Sequence, residues 1–391
     1  MKKFFAFFTV SRNVYWLGFV IAVAASLIEL LRGGAENYCV FRDATLQFWQ
    51  GINPYTQEFV DVHHRYFIYS PIFCVLFAPF AFMPFYLGGL VWNLFGYTVF
   101  YFGVKNLPGV LSAKAPLIML YLLLTVAQSL FCFQFNLLVA AIFVWALVLL
   151  ERDQPFWAIL LIMISATTKI YGAVELALLL FYPRFWRNVG YVLLTGIGLL
   201  LLPALHGGVE GLLSGYQNWL AQLVSHQSTG IYYSFLFLPG IRSFVLPYMR
   251  LFQASVLLLM AIPFLLPILP PFKGKVEVGL PFRVGALAGL MGYIVLFSEA
   301  AEYTTYTIAM TGYALWYFLE DKRPVFDKIL FWALFVLWCV MPIDLFCPSK
   351  LCNYIHSTLW LGVLTYTLAW LRIIYTTCKP VPSTQCHQAL Q

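Results

Sequence analysis

Between residues 36 and 84 the chain gathers side chains able to do acid–base and phosphate chemistry. The stretch holds Glu36, Asp43, Glu58 and Asp61, four of the sixteen carboxylates, beside His63, His64, Arg42 and Arg65. A carboxylate can take the proton of an attacking hydroxyl, and arginine or histidine can neutralise a phosphate. Only 10% of the 391 residues are charged, so this concentration stands out against an apolar background. Asp43 follows Glu36 by two helical turns, a spacing that puts both acids on one face. His63, His64 and Arg65 form a compact cationic run. The same residues also fit an amphipathic helix lying on lipid headgroups, with Phe48 and Trp49 inward and charges outward. The two readings are compatible. Gly51-Ile52-Asn53-Pro54-Tyr55 closes the segment with a turn.

Three further sites carry charge where charge is costly. Lys169 stands between two apolar runs, where it either snorkels to the membrane surface or serves as a point charge for a phosphate. Glu175, six residues on, is either a buried partner or a polar spot facing other helices. Glu299 and Glu302 lie where one apolar run ends and the next begins. An acid at a helix N-terminus is stabilising in itself, so Glu302 reads either as a cap or as a substrate contact. No Cys/His spacing resembles a zinc site and no GxxxxGK[ST] loop occurs, so the residues call for neither metal nor nucleotide. The eight cysteines are scattered. Cys74, Cys132 and Cys339 read as small hydrophobes, whereas Cys347 and Cys352 share a loop and can pair in an oxidising compartment.

The elements that must position these groups are membrane spans. Hydrophobic residues make up 62% of the chain. Apolar runs of about 17–21 residues recur, the length needed to cross a core of roughly 30 Å. The pattern predicts an all-α polytopic membrane protein with about twelve spans: 14–31, 86–104, 115–133, 136–150, 156–168, 171–182, 189–205, 251–269, 281–297, 305–318, 329–343 and 357–375. The first run reads as a retained span, because no small-residue cleavage site stands out after it. The Pro-punctuated segment 70–83 is too short to span and reads as re-entrant or interfacial. The runs either side of Lys169 could be one broken helix. Residues 1–376 form one domain and 377–391 a tail. No internal repeat is visible. In this arrangement sixteen of the 23 basic residues fall on the side of the termini and seven on the other. The excess puts both termini in the cytoplasm. The loop 32–84, the turn 132–136, Lys169, a long loop at 207–244 and the segment 298–302 then face outward. The net charge of +7 is a topology signal and not a sign of nucleic-acid binding.

The stretches NYCVFRDATLQFWQGINPY and YFIYSPIFCVLFAPFAFMP resemble glycosyltransferase family 87, in its Bacteroidetes-type versions. So do QFNLLVAAIFVWALVLLER, ATTKIYGAVELALLLFYPRFW and SEAAEYTTYTIAMTGYALWYF, which follow in order. The resemblance implies a GT-C architecture with juxtamembrane helices in the first external loop. It implies a cell-envelope hexosyltransferase that takes a sugar, mannose-like, from a polyprenyl-phosphate donor to a glycolipid or glycan acceptor. The active site would face the outside of a bacterial inner membrane, and no cofactor is implied. The acid expected in the first loop falls on Asn37 when counted back from Gly51. That leaves Asp43, and after it Glu36, as the base. Lys169 matches the family's lysine, and Arg42, Arg65 and His64 would join it at the donor phosphate. Asn37, Tyr55, Tyr66, Tyr69 and Glu302 would contact substrate. A lipid-linked saccharide flippase and an inactive homologue are the alternatives.

Overall fold

The structure is a computed structural model that describes residues 10–225, 241–269, 276–298, 301–342 and 349–379. Glu299, Cys347 and nearly all of the C-terminal tail lie outside these residues, whereas Cys352 falls within a helix that begins at Ser349. Every regular element among the described residues is helical. The chain divides into two units, one formed by residues 1–176 and 184–229, the other by 177–183 and 230–391.

The first unit runs α1 (Ser11–Arg32), α2 (Glu36–Trp49), α3 (Gln57–His63), α4 (Pro71–Ala81), α5 (Phe85–Lys105), α6 (Ala115–Phe131), α7 (Asn136–Glu151), α8 (Pro155–Thr168), α9 (Phe185–Leu205) and α10 (Gly208–Ser225). α1 packs on α5 and α6, α5 on α7, α7 on α8, and α8 on α9. α7 is the hub of this packing, with twelve of its sixteen residues buried. Tyr97 and Tyr101 of α5 donate from their hydroxyls to the carbonyls of Tyr15 and Ser11, fixing the start of α1.

The second unit runs α11 (Met249–Ile268), α12 (Leu280–Leu296), α13 (Tyr306–Phe318), α14 (Val325–Leu334) and α15 (Ser349–Thr377). α12 and α13 approach closely at Gly312, where a Cβ would sit 2.9 Å from the Cα of Ala288. α14 widens into a π-helical stretch, Phe335–Val340. That stretch places Trp338 between Tyr306 and Tyr366 in a parallel stack of 3.9 and 4.3 Å spacing.

Among the described residues four helices are long and apolar enough to cross a membrane: α1, α5, α9 and α11. Six further apolar helices have 10–17 residues. The longest of these reach about 26 Å at 1.5 Å per residue. Each predicted apolar run through residue 318 coincides with a helix to within a few residues. The long loop expected at 207–244 differs: its first part is α10. The glycines at 207, 208, 211 and 215 read as loop, yet only Gly207 and Gly208 adopt positive φ. Gly211 and Gly215 are close-packing positions inside the helix.

Candidate functional site

The first loop folds into three short helices because its sequence supplies their ends. Gly33, at φ 75°, closes α1, and its N–H bonds back to the carbonyl of Glu29. Glu36 then sits in the first turn of α2, where a negative charge meets the unpaired N–H groups. Gly51 takes φ 76°, and Asn53 Oδ1 accepts the N–H of Tyr55, forming the predicted turn. Thr56 caps α3 by accepting the N–H of Phe59. His64 ends that helix in the left-handed conformation, at φ 53°.

These caps give the two candidate bases different surroundings. Glu36 accepts a bond from Arg65 Nε at 2.8 Å and a second from Arg65 Nη2, so the pair is forked. Asp43 is held loosely. His63 Nε2 lies 3.5 Å from one of its oxygens and Arg42 Nη1 lies 3.7 Å from the other, with the Asp43 side chain 41% exposed. The His63 ring packs on Phe59 at 4.3 Å, which aims its nitrogen at α2. Arg42 Nε is buried without a hydrogen-bond partner. Of the two adjacent histidines, His63 faces the carboxylate, whereas His64 caps α3 and is exposed. The sequence signals both and cannot choose between them without the phase of α3. Asp61 is bonded to Gln57 within the same short helix. Asn37 donates to the carbonyl of Cys132 at 2.7 Å, tying α2 to the turn before α7.

Lys169 lies at a break in the helical path. Thr167 and Thr168 turn their hydroxyls back onto the carbonyls of Met163 and Ile164, a local bond that weakens the end of α8. Lys169 is extended, at φ −141° and ψ 102°. The chain resumes as a 3₁₀ helix, Ile170–Phe181. The two runs are thus a helix broken at the lysine. Its ammonium donates to Asn136 Oδ1 at 3.1 Å and lies over the rings of Tyr69 and Tyr171, at 5.3 and 4.9 Å. Tyr171 donates its hydroxyl to the same Asn136 oxygen. Asn136 and Tyr171 went unremarked in the sequence, although both stand in quoted motifs, because their partnership with Lys169 is visible only once α7 and α8 pack.

One extended segment connects the two groups. Gln222 Nε2 donates to the carbonyl of Phe67, Trp219 Nε1 to that of Ile68, and the Tyr55 hydroxyl to that of Tyr69. The N–H of Ser70 bonds to the carbonyl of Thr168, which the break after α8 leaves open. Phe41, one residue before Arg42, meets the edge of Tyr69 at 5.1 Å. A chain of contacts therefore runs from α2 through Tyr69 to Lys169. Tyr69 is 6% exposed and packs against Phe73 and Phe135, with its ring beside the lysine. Burial pushes the Tyr55 phenol well above its ordinary range, so it stays a donor. Tyr66 is exposed.

In the second unit, Glu302 caps the turn before α13, its N–H bonded to Thr305 Oγ1 at 3.0 Å in a capping box. This is the cap of the two readings that the sequence left open. Glu175, in the 3₁₀ helix, is fully buried, and neither carboxylate oxygen has a hydrogen-bond partner. It lines up with Gly172, Leu178 and Phe181, three residues apart and all buried, as a 3₁₀ period requires. Among the described residues no group of three His, Cys, Asp or Glu stands close enough to hold a metal.

The described residues are all helical, four of the helices are apolar and long enough to cross a membrane, and helix ends of the first unit gather carboxylates, a histidine and cations. Residues 67–342 match the profile of glycosyltransferase family 87, and the chain belongs to that family. No curated protein matches it. The matched span includes Tyr69, Asn136, Lys169 and Glu302, and begins after Glu36, Asp43 and Arg65.

Proposed function

We propose that the chain transfers one sugar, a mannose-like hexose, from a polyprenyl-phosphate donor to a glycolipid or envelope-glycan acceptor at the outer face of a bacterial inner membrane. Both termini would be cytoplasmic, with about twelve crossings of GT-C type. The observation that carries the assignment of roles is the contrast on α2. Glu36 accepts two bonds from Arg65, both on one oxygen, whereas Asp43 has only the longer contacts to His63 and Arg42, at 3.5 and 3.7 Å.

In this reading Asp43 is the base. The acceptor hydroxyl gives its proton to Asp43 as its oxygen bonds to the anomeric carbon. The bond from that carbon to the phosphate oxygen breaks, and polyprenyl phosphate leaves with the electron pair. Attack opposite the leaving group inverts the anomeric centre. Lys169 and Arg42 would neutralise the phosphate, where fixed cations stabilise developing charge. His63 holds Asp43 in place. Arg65 acts through Glu36, and His64 and Tyr66 lie on the open side of the loop, available to acceptor or sugar. Asn37 and Tyr55 brace the loop that substrate would meet.

The test uses purified full-length protein in nanodiscs with a panel of polyprenyl-phosphate sugars and an envelope-lipid extract. Transfer from at least one donor is expected, with Lys169→Ala weakening use of that donor. Failure of every donor to lose its sugar would overturn the reading. Unchanged donor affinity in Lys169→Ala would remove the lysine from the phosphate site.

A further inference from the structure

Helix α10 turns its apolar side away from the protein. Its packed face is small or polar: Gly215 meets Pro71, Trp219 donates to Ile68 at 3.0 Å, and Gln222, 7% exposed, donates to Phe67 at 3.2 Å. Val209, Leu213, Leu220 and Val224 are 52–77% exposed. Their spacings of four, seven and four residues align them in one stripe. Glu210, Ser214 and Gln217 form a third, exposed polar side. Left in water, such a stripe costs about 25 cal/mol per Å² of apolar area.

The chain itself indicates what covers the stripe. α10 follows α9, one of the four helices able to cross a membrane. The outward side of α9 is a row of exposed aliphatics, Leu193, Leu194, Ile197, Leu201 and Leu205. Val209 stands one turn beyond Leu205, after the bend at Gly207 and Gly208, where φ is 77° and 61°. The apolar surface of a membrane-crossing helix thus continues onto α10 with only that bend between them.

We propose that α10 is an interfacial helix. Its stripe lies in the acyl chains at the membrane surface, its polar side meets headgroups and water, and its packed face clamps residues 67 and 68. The bilayer surface thereby sets the segment whose next two residues, Tyr69 and Ser70, abut Lys169 and Thr168. The lipid contact rests on the membrane assignment alone and does not depend on sugar transfer.

The experiment places a photoreactive benzophenone amino acid at Leu213 or Leu220, and for comparison at Ser214 or Gln217, in the full chain in phosphatidylethanolamine–phosphatidylglycerol nanodiscs. Lipid adducts several-fold more abundant at 213 and 220 are expected after illumination. Equal adducts at all four positions, or adducts chiefly to a second copy or another protein, would overturn the lipid seat. The clamp is tested by hydrogen exchange of the peptide covering residues 65–72. Trp219→Phe, which removes the donor and keeps the ring bulk, is expected to speed that exchange several-fold, with Gln222→Leu acting in the same direction. Unchanged exchange in both variants would overturn the clamp. A protein that transfers no sugar would defeat the proposed function and leave both of these readouts standing.

Discussion

Two aspartates show how differently one chain treats the same side chain. Asp327, on α14, is 1% exposed and bonded to Arg372 Nε at 2.8 Å. Arg323 Nη1 approaches it at 3.9 Å, and that guanidinium is itself fixed by the carbonyls of Trp316 and Tyr317 and by the indole face of Trp316. Oδ1 of Asp327 is thus firmly bonded, and Oδ2 is buried with Arg323 as its neighbouring cation. Asp43 has two contacts, at 3.5 and 3.7 Å, no closer bond, and a side chain 41% exposed. A charge enclosed by partners serves the fold, because removing one member strands the rest in a low-dielectric interior. A charge with loose partners can change partner, as a base must do when substrate arrives. The comparison separates structural from chemical carboxylates without reference to where each falls in the sequence.

It can be broken in several ways. Asp43→Asn should lower sugar-transfer turnover by about 10²–10⁴-fold, the range of general base catalysis, with the melting temperature nearly unchanged. A normal rate in that variant would move the base elsewhere. Asp327→Ala should show the reverse, losing roughly 3–5 kcal/mol of stability, since the buried Arg323 and the part-buried Arg372 lose their anion. The measurement is the unfolding midpoint in nanodiscs beside turnover per folded molecule. A stable variant would mean that water relieves the arginines. His63→Phe should cost about three- to tenfold in kcat, the worth of one hydrogen bond, with KM held. His63→Asn, which can still donate, should recover part of it. Equal loss in both would make His63 a packing residue. Glu36→Gln should change turnover by less than about tenfold, because exposed pairs contribute roughly 1 kcal/mol or less. A larger loss would exchange the roles of the two acids.

The helices were legible because apolar runs and breakers are local signals. Lys169 was legible for the same reason, since a lysine between two such runs has few places to go. What the sequence withheld depends on phase or on packing. His63 and His64 are neighbours with opposite fates, decided by where α3 ends. Tyr69 reads as a substrate contact, and its burial against Phe73 and Phe135 comes only with packing. Asn136 becomes the partner of Lys169 only after two helices meet. α10 was hidden by its glycines, although Val209, Leu213, Leu220 and Val224 carry a helical spacing once Gly211 and Gly215 are allowed inside the helix. Asn37 departs from the acid expected of the resemblance, and its side chain has a mechanical task, holding α2 to the carbonyl of Cys132.

The tethers of residues 67–70 also bear on how the protein is made. Phe67 and Ile68 are bonded to side chains 155 and 151 positions later. A ribosome adding roughly 5–20 residues per second needs about 8–30 s to supply those partners. Through that interval the segment beside the lysine is already synthesised while its anchors are still to come. The clamp on residues 67 and 68 is therefore one of the last parts of the first unit to set, closing after Lys169 and its partners Asn136 and Tyr171 have been made.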